Sequence, residues 1–112
     1  MHELSIVIEV FRLVEEIAEE QGLNKINSVT VEIGELSGIL EDYFRECWNV
    51  ARLSSNLKNT EVKIISVSAV ARCKCGCEYK MTENNRICPK CKRTEYEITA
   101  GRDFVIKEIE AC

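Results

Sequence analysis

Between residues 4 and 21, Leu4, Val7, Ile8, Phe11, Val14, Ile17 and Ala18 recur at spacings of three and four, while Glu15, Glu16, Glu19 and Glu20 fall mostly outside that stripe. Residues so spaced share one face of an α-helix, so the pattern predicts an amphipathic helix. Gly22 follows it, where a helix can close on a residue of positive φ. From Ser28 to Gly34 the pattern becomes alternation: Val29, Val31 and Ile33 point one way, Ser28, Thr30 and Glu32 the other. That is the mark of a half-buried strand. A second helix is predicted from Leu40 to Leu53, with Leu40, Phe44, Cys47, Trp48 and Ala51 on its apolar face. A strand from Glu61 to Ala71 comes next, with Val62 and Ile64 beginning one face and Ile65, Val67 and Ala69 on the other. Arg102 to Ile109, carrying Phe104, Val105, Ile106 and Ile109, reads as a last strand.

The order helix, strand, helix, strand, cysteine-rich segment, strand predicts an α+β fold. Two helices cover a small mixed three-stranded sheet, and a metal module is inserted before the last strand. The expected division is 1–70 plus 101–112 for the α/β domain and 71–100 for the module. A chain of 112 residues suffices for one compact domain with such an insertion. The inserted segment has few large apolar side chains (Tyr79, Met81, Ile87, Tyr96 and Ile98), so a bound metal is needed to supply its folding free energy.

Five of the seven cysteines, Cys73, Cys75, Cys77, Cys88 and Cys91, lie in that segment. Two short-spaced thiol groups separated by a hairpin-length stretch suit a tetrahedral zinc site, each group approaching the ion from a tight turn. No signal-peptide pattern opens the chain and no apolar run approaches the ~20 residues of a membrane span, which points to a reducing cytosol and against a disulfide framework. Five thiols compete for four places. Cys88 and Cys91 form one regular pair; the first group admits Cys73 with Cys75, Cys73 with Cys77, or Cys75 with Cys77. Gly76 after Cys75 suits a turn of positive φ. The preferred set is Cys73, Cys75, Cys88 and Cys91, with Cys77 a substitute ligand or a free thiol. Cys47, at helical spacing with Phe44 and Ala51, reads as a small buried apolar residue.

Charge raises a rival. From Arg72 to Arg93 there are seven basic and two acidic residues, a net of +5 in a chain of net −4. A basic zinc ribbon is one signature of nucleic-acid binding. Against it, Tyr79 is the only aromatic residue in that stretch, and the acidic remainder repels phosphate backbones. An acidic protein partner suits the basic module equally well.

The only histidine is His2. A terminal histidine usually has no role, yet its chemistry here is definite. An imidazole at position two can join the terminal amine and an intervening backbone nitrogen in fused chelate rings, a nitrogen-rich set suited to Ni(II) or Cu(II). With one histidine, neither a Ser-His-Asp nor a His-Glu-x-x-His constellation can form. Gly34-Glu35-Leu36-Ser37-Gly38 lacks the Lys-Ser/Thr end of a phosphate loop and reads as a turn into the second helix, with a partner contact at Glu35 as a minor alternative. A thiol redox reading, on Cys75 and Cys77 or on Cys88 and Cys91, lacks the helix that a thioredoxin-like motif must start.

Met1-His2-Glu3-Leu4-Ser5, Ile33-Gly34-Glu35-Leu36-Ser37-Gly38, the Cys73–Cys91 cluster and Ile106-Lys107-Glu108-Ile109-Glu110 together resemble the HypA/HybF family of nickel metallochaperones. The resemblance spans essentially the whole chain. It implies a nickel-binding α/β domain carrying a zinc-ribbon insertion. It also implies Ni(II) carried as transient cargo by His2, helped by the Met1 amine and the backbone nitrogens around His2 and Glu3. Zn(II) would be structural, bound by two Cys-x-x-Cys pairs, a pattern from which the first group here departs. The implied protein is a cytoplasmic carrier for [NiFe] hydrogenase maturation and not an enzyme. Its implied partners are the GTPase HypB, the hydrogenase large subunit and, in some organisms, urease maturation proteins; neither nucleic acid nor a membrane is among them.

Overall fold

The computed structural model describes residues 2–81 and 86–111, with His2 described through its backbone alone. Helix α1 runs His2–Gln21. It closes on Gly22, whose φ of +65° allows the Leu23 N–H to reach back to the Ala18 carbonyl at 2.8 Å. Strand β1 (Ile26–Gly34) follows, then helix α2 (Glu41–Ala51), a short 3-10 turn (Arg52–Ser54) and strand β2 (Glu61–Val67). The last strand of this unit, β6 (Phe104–Ala111), arrives only after the cysteine-rich segment. The sheet order is β2–β1–β6, with β1 parallel to β2 and antiparallel to β6. Parallel β1 and β2 require a crossover, and α2 provides it.

The core lies between this mixed sheet and the two helices. Val7, Val10, Phe11 and Val14 from α1 and Phe44 and Trp48 from α2 meet Val29, Val31, Ile33 and Val62. Phe11 meets Trp48 edge-on, with ring centroids 4.7 Å apart and planes at 84°. The indole N–H of Trp48 donates to the Thr60 carbonyl at 3.1 Å, and the Thr60 hydroxyl donates to the Ile26 carbonyl at 2.7 Å. These two bonds fasten the loop before β2 to α2 and to the start of β1.

Two details depart from the periodic reading. The buried stripe of α1 includes Val10, whereas Leu4 and Ile8 are 39 % and 57 % exposed. The sheet and α2 together cover the Val7–Val10–Val14 side of α1, turning Leu4 and Ile8 outward. Ser28 and Thr30, expected on a solvent face, are buried. Ser28 pairs with Glu110 on one side of β1, and Thr30 with Lys63 on the other. The Lys63–Glu110 ion pair (3.1 Å) therefore runs diagonally across β1 and roofs both hydroxyls.

The strand expected from Glu61 to Ala71 is two strands in different sheets. After Val67 the chain leaves the mixed sheet, and β3 (Val70–Cys73) begins an antiparallel sheet of order β4–β3–β5 with β4 (Glu78–Lys80) and β5 (Tyr96–Ala100). Its small core is Ala69, Ala71, Cys73, Tyr79, Met81 and Cys88. Gly34-Glu35-Leu36, predicted as a turn, also ties the two connecting segments together. Gly34 N–H donates to the Asp103 carbonyl (2.9 Å), Glu35 N–H to Val67 (2.8 Å) and Leu36 N–H to Gly101 (2.7 Å).

Candidate metal centre

Both cysteine groups lie in turns of one construction. In the second, Cys88 N–H donates to the Arg93 carbonyl (3.0 Å) and Lys92 N–H returns to the Cys88 carbonyl (2.9 Å). In the first, Cys73 N–H donates to the Cys77 carbonyl (2.9 Å) and Gly76 N–H returns to the Cys73 carbonyl (2.9 Å). The residue after the second cysteine has positive φ in each: +91° at Gly76 and +63° at Lys92. Cys73 thus corresponds to Cys88, and Cys75 to Cys91. Cys77 occupies the place of Arg93, one position beyond the turn. The first turn is simply a residue shorter. This correspondence accords with the preference for Cys73 and Cys75 as the first pair; its signal in the sequence was Gly76 directly after Cys75, as Lys92 directly follows Cys91.

The turns gather the sulfurs of Cys73, Cys75, Cys88 and Cys91 within 4.8 Å of one another. Cys73 and Cys91 stand at 3.2 Å, and Cys75 and Cys88 at 3.7 Å. Four thiolates around one ion at Zn–S of about 2.3 Å would have sulfurs about 3.8 Å apart, so the group fits a tetrahedral thiophilic ion. Cys73 and Cys88 are buried, Cys91 is half-buried and Cys75 is exposed. Cys77 packs against the same small core but stands outside the group of four.

Local charge explains why these thiols suit a cation. The Cys91 backbone N–H, 3.5 Å from the Cys88 sulfur, is the main cause that brings the Cys88 thiol down to about 6 against the opposing effect of burial. The Arg93 backbone N–H pulls on Cys91, but the Cys73 thiol, burial and the thiols of Cys88 and Cys75 outweigh it and push Cys91 up to about 12. Burial, then the charge of Cys88, raises Cys77. Without a cation, four sulfurs this close cannot all release their protons; a divalent ion removes that conflict.

The expected +5 segment is partly neutralised by residues beyond it. Glu95 pairs with Lys74 at 3.0 Å and Glu97 with Arg72 at 3.3 Å. Each pair is exposed and worth little in stability, but together they break up a continuous basic surface.

At the other end, α1 begins at His2, so the backbone N–H groups of its first turn have no acceptor within the helix. Glu3 is buried, and its carboxylate accepts the Leu40 N–H at 3.1 Å, joining the start of α1 to the start of α2. Met1 and the imidazole of His2 lie outside the described residues, as does Cys112. Cys47 packs half-buried against the main core, where burial first, and the charges of Glu3 and Glu46 next, raise its thiol.

Residues 1–111 match the family described as "HypA: Hydrogenase/urease nickel incorporation, metallochaperone, hypA". The chain is 35% identical over 111 residues to hydrogenase maturation factor HypA of Methanocella arvoryzae, covering 98% of this chain and 97% of that one. Against the Campylobacter jejuni protein of the same name it is 38% identical over 106 residues, covering 93% of each. The solution structure of the Ni metallochaperone HypA from Helicobacter pylori superposes with a TM-score of 0.70 at 27% identity, covering 97% of this chain and 96% of that one. A second, titled "Solution structure of HypA protein", gives 0.76 at 28% identity, covering 100% and 97%.

Proposed function

Because the chain belongs to the HypA family of hydrogenase and urease nickel-incorporation metallochaperones, we propose that it carries Ni(II) at its N-terminus and delivers it for [NiFe] hydrogenase maturation, while Cys73, Cys75, Cys88 and Cys91 hold a structural Zn(II). The observation that carries the reading is the family match over residues 1–111, which takes in both the Met1-His2-Glu3 start and the four gathered thiols.

The two metals call for different chemistry. A closed set of four thiolates holds zinc without an exchangeable position. Cargo must leave, and a terminal site built from the Met1 amine, the His2 imidazole and the backbone nitrogens around His2 and Glu3 can be dismantled one ligand at a time. Those backbone nitrogens stand in the first turn of α1, where no helical hydrogen bond competes for them. The positive end of a helix disfavours a bare cation. Amide nitrogens that lose their protons on binding offset the charge of Ni(II), so the complex can sit there. Anchored on Leu40, the Glu3 carboxylate holds the first turn in place and is a positioning group.

The protein acts as a carrier and not as an enzyme, in the cytoplasm. HypB and the hydrogenase large subunit are its partners, with urease maturation proteins as further recipients. Among the described residues no helix is long and apolar enough to cross a membrane. Glu95 and Glu97 beside Lys74 and Arg72 weigh against the nucleic-acid alternative.

The deciding test is a nickel titration of the untagged, zinc-loaded chain beside its His2→Ala variant, with zinc counted before and after. Stoichiometric nickel lost in the variant, with zinc unchanged, supports separate cargo and structural sites. Equal nickel binding by both proteins, or none by either, sinks the N-terminal assignment.

A further inference from the structure

Cys77 is the thiol left over when four are gathered. It stands at the position of Arg93 in the equivalent turn, and it packs against the small core that contains Cys88. The sulfur of Cys75 lies beside Cys88, at 3.7 Å. Cys75 and Cys77 are therefore two thiols of one turn beside the same small core, separated along the chain by Gly76 alone.

Exposure distinguishes the four. Cys73 and Cys88 are buried and Cys91 is half-buried, so an oxidant arriving from solvent meets Cys75 first. Cα atoms two residues apart are at most about 7 Å apart in any trans chain. A turn shortens that distance into the span a disulfide bridges. Gly76, at φ +91° with nothing within 4 Å of where a Cβ would stand, makes the bend between them and puts no side chain there.

We propose that Cys75 and Cys77 form a peroxide-sensitive dithiol whose oxidation removes one of the four metal ligands. The Cys75 thiolate attacks hydrogen peroxide and breaks its O–O bond. One oxygen stays on sulfur as sulfenic acid, and the other leaves as hydroxide and takes a proton from solvent. The Cys77 thiol then attacks the Cys75 sulfur; the S–S bond forms, the S–O bond breaks, and the hydroxyl leaves with the Cys77 proton as water. Two thiols become one disulfide while one peroxide is reduced to two waters. Cys73, Cys88 and Cys91 remain, and a three-thiolate site with an open position exchanges its ion where a closed one does not. This consequence rests on reading the four thiols as a zinc site. The small antiparallel sheet then loses the ion that supports its core, so peroxide acts as a release signal for the module.

The test treats the zinc-loaded full chain with stoichiometric hydrogen peroxide beside a colorimetric zinc chelator, followed by alkylation and trypsin. Lys74 and Lys80 bracket the peptide Cys75–Lys80, whose only cysteines are these two. The expected product is that peptide, unalkylated and lighter by two hydrogen atoms, forming at the rate at which zinc appears. Cys77→Ser should slow zinc release by roughly tenfold, for lack of a resolving thiol, and leave Cys75 as a sulfenic acid trapped by dimedone. A disulfide between other cysteines, unchanged release from Cys77→Ser, or failure of that variant to take up zinc at all would each overturn the proposal. Zinc counted before oxidation tests the metal-site reading separately, because the mass of Cys75–Lys80 decides the dithiol whether or not zinc is bound.

Discussion

A Cβ placed on Gly34 would stand 2.4 Å from the carbonyl oxygen of Gly101, and one on Gly101 only 2.6 Å from the Cα of Ala69. Three backbones from three parts of the chain meet where nothing larger than hydrogen fits. That contact lies where the chain crosses between the mixed sheet and the antiparallel one, and the N–H groups of Gly34, Glu35 and Leu36 fasten both crossings beside it. Because the clashing atoms are backbone, no rotamer can relieve them.

Gly34→Ala should accordingly cost about 2 kcal/mol or more, since overpacking against rigid neighbours forces the backbone apart. Gly101→Ala adds the strain of its φ of +85°. Gly38→Ala is the control: its φ is +81° with open space around it, so only the conformational penalty of about 1 kcal/mol applies. Urea unfolding followed by Trp48 fluorescence measures all three. Equal losses at Gly34 and Gly38 would remove the argument from steric contact.

Lys92 and Gly76 take the same role in their two turns, but Lys92 pays the left-handed penalty that glycine avoids. Lys92→Gly should stabilise the metal-bound module by about 1 kcal/mol, roughly a fivefold gain in zinc affinity. Gly76→Ala should weaken it by a similar factor. Competition against a chelator of known affinity reads both, and a loss in Lys92→Gly would show that the lysine side chain matters more than its backbone.

Metal removal should act on one sheet. Chelation is expected to collapse the amide resonances of β3, β4 and β5 into the narrow range of unfolded chain while leaving those of β1, β2 and the Trp48 indole in place. The reason is that Trp48 and Phe44 belong to a core that needs no ion, whereas Ala69, Ala71, Tyr79 and Met81 are too few to hold their sheet alone. Cys73→Ser or Cys91→Ser should have the same result. Simultaneous collapse of both sets of resonances would mean the two sheets fold as one unit.

Glu3→Ala should weaken nickel binding and lower stability by about 1–3 kcal/mol, because it leaves the partly buried Leu40 N–H without its charged acceptor. Glu3→Gln keeps an acceptor oxygen and should recover most of the loss. Parallel nickel titration and thermal unfolding distinguish the roles. A Glu3→Gln variant as nickel-poor as Glu3→Ala would make the carboxylate's charge, and not its position, the important property.

Local pattern determined much of this protein. The spacing of Val7, Phe11 and Val14, the alternation through Val29, Val31 and Ile33, and the two cysteine groups each report on residues close in the chain, where backbone geometry alone decides which side chains share a face. Gly76 marked its turn for the same reason. Tertiary structure decided the rest. Periodicity gives an angle around α1 but not the direction from which the sheet approaches, so Val10 is buried and Leu4 is not. Ser28 and Thr30 read as solvent-facing until Lys63 and Glu110, from two other strands, close over them. The break between β2 and β3 has no breaker residue to announce it; it falls where Gly34 and Gly101, far apart in sequence, press their backbones together beside Ala69. The Glu3 contact with Leu40 spans 37 residues, and only the packing of α1 beside α2 brings that carboxylate and that N–H within reach.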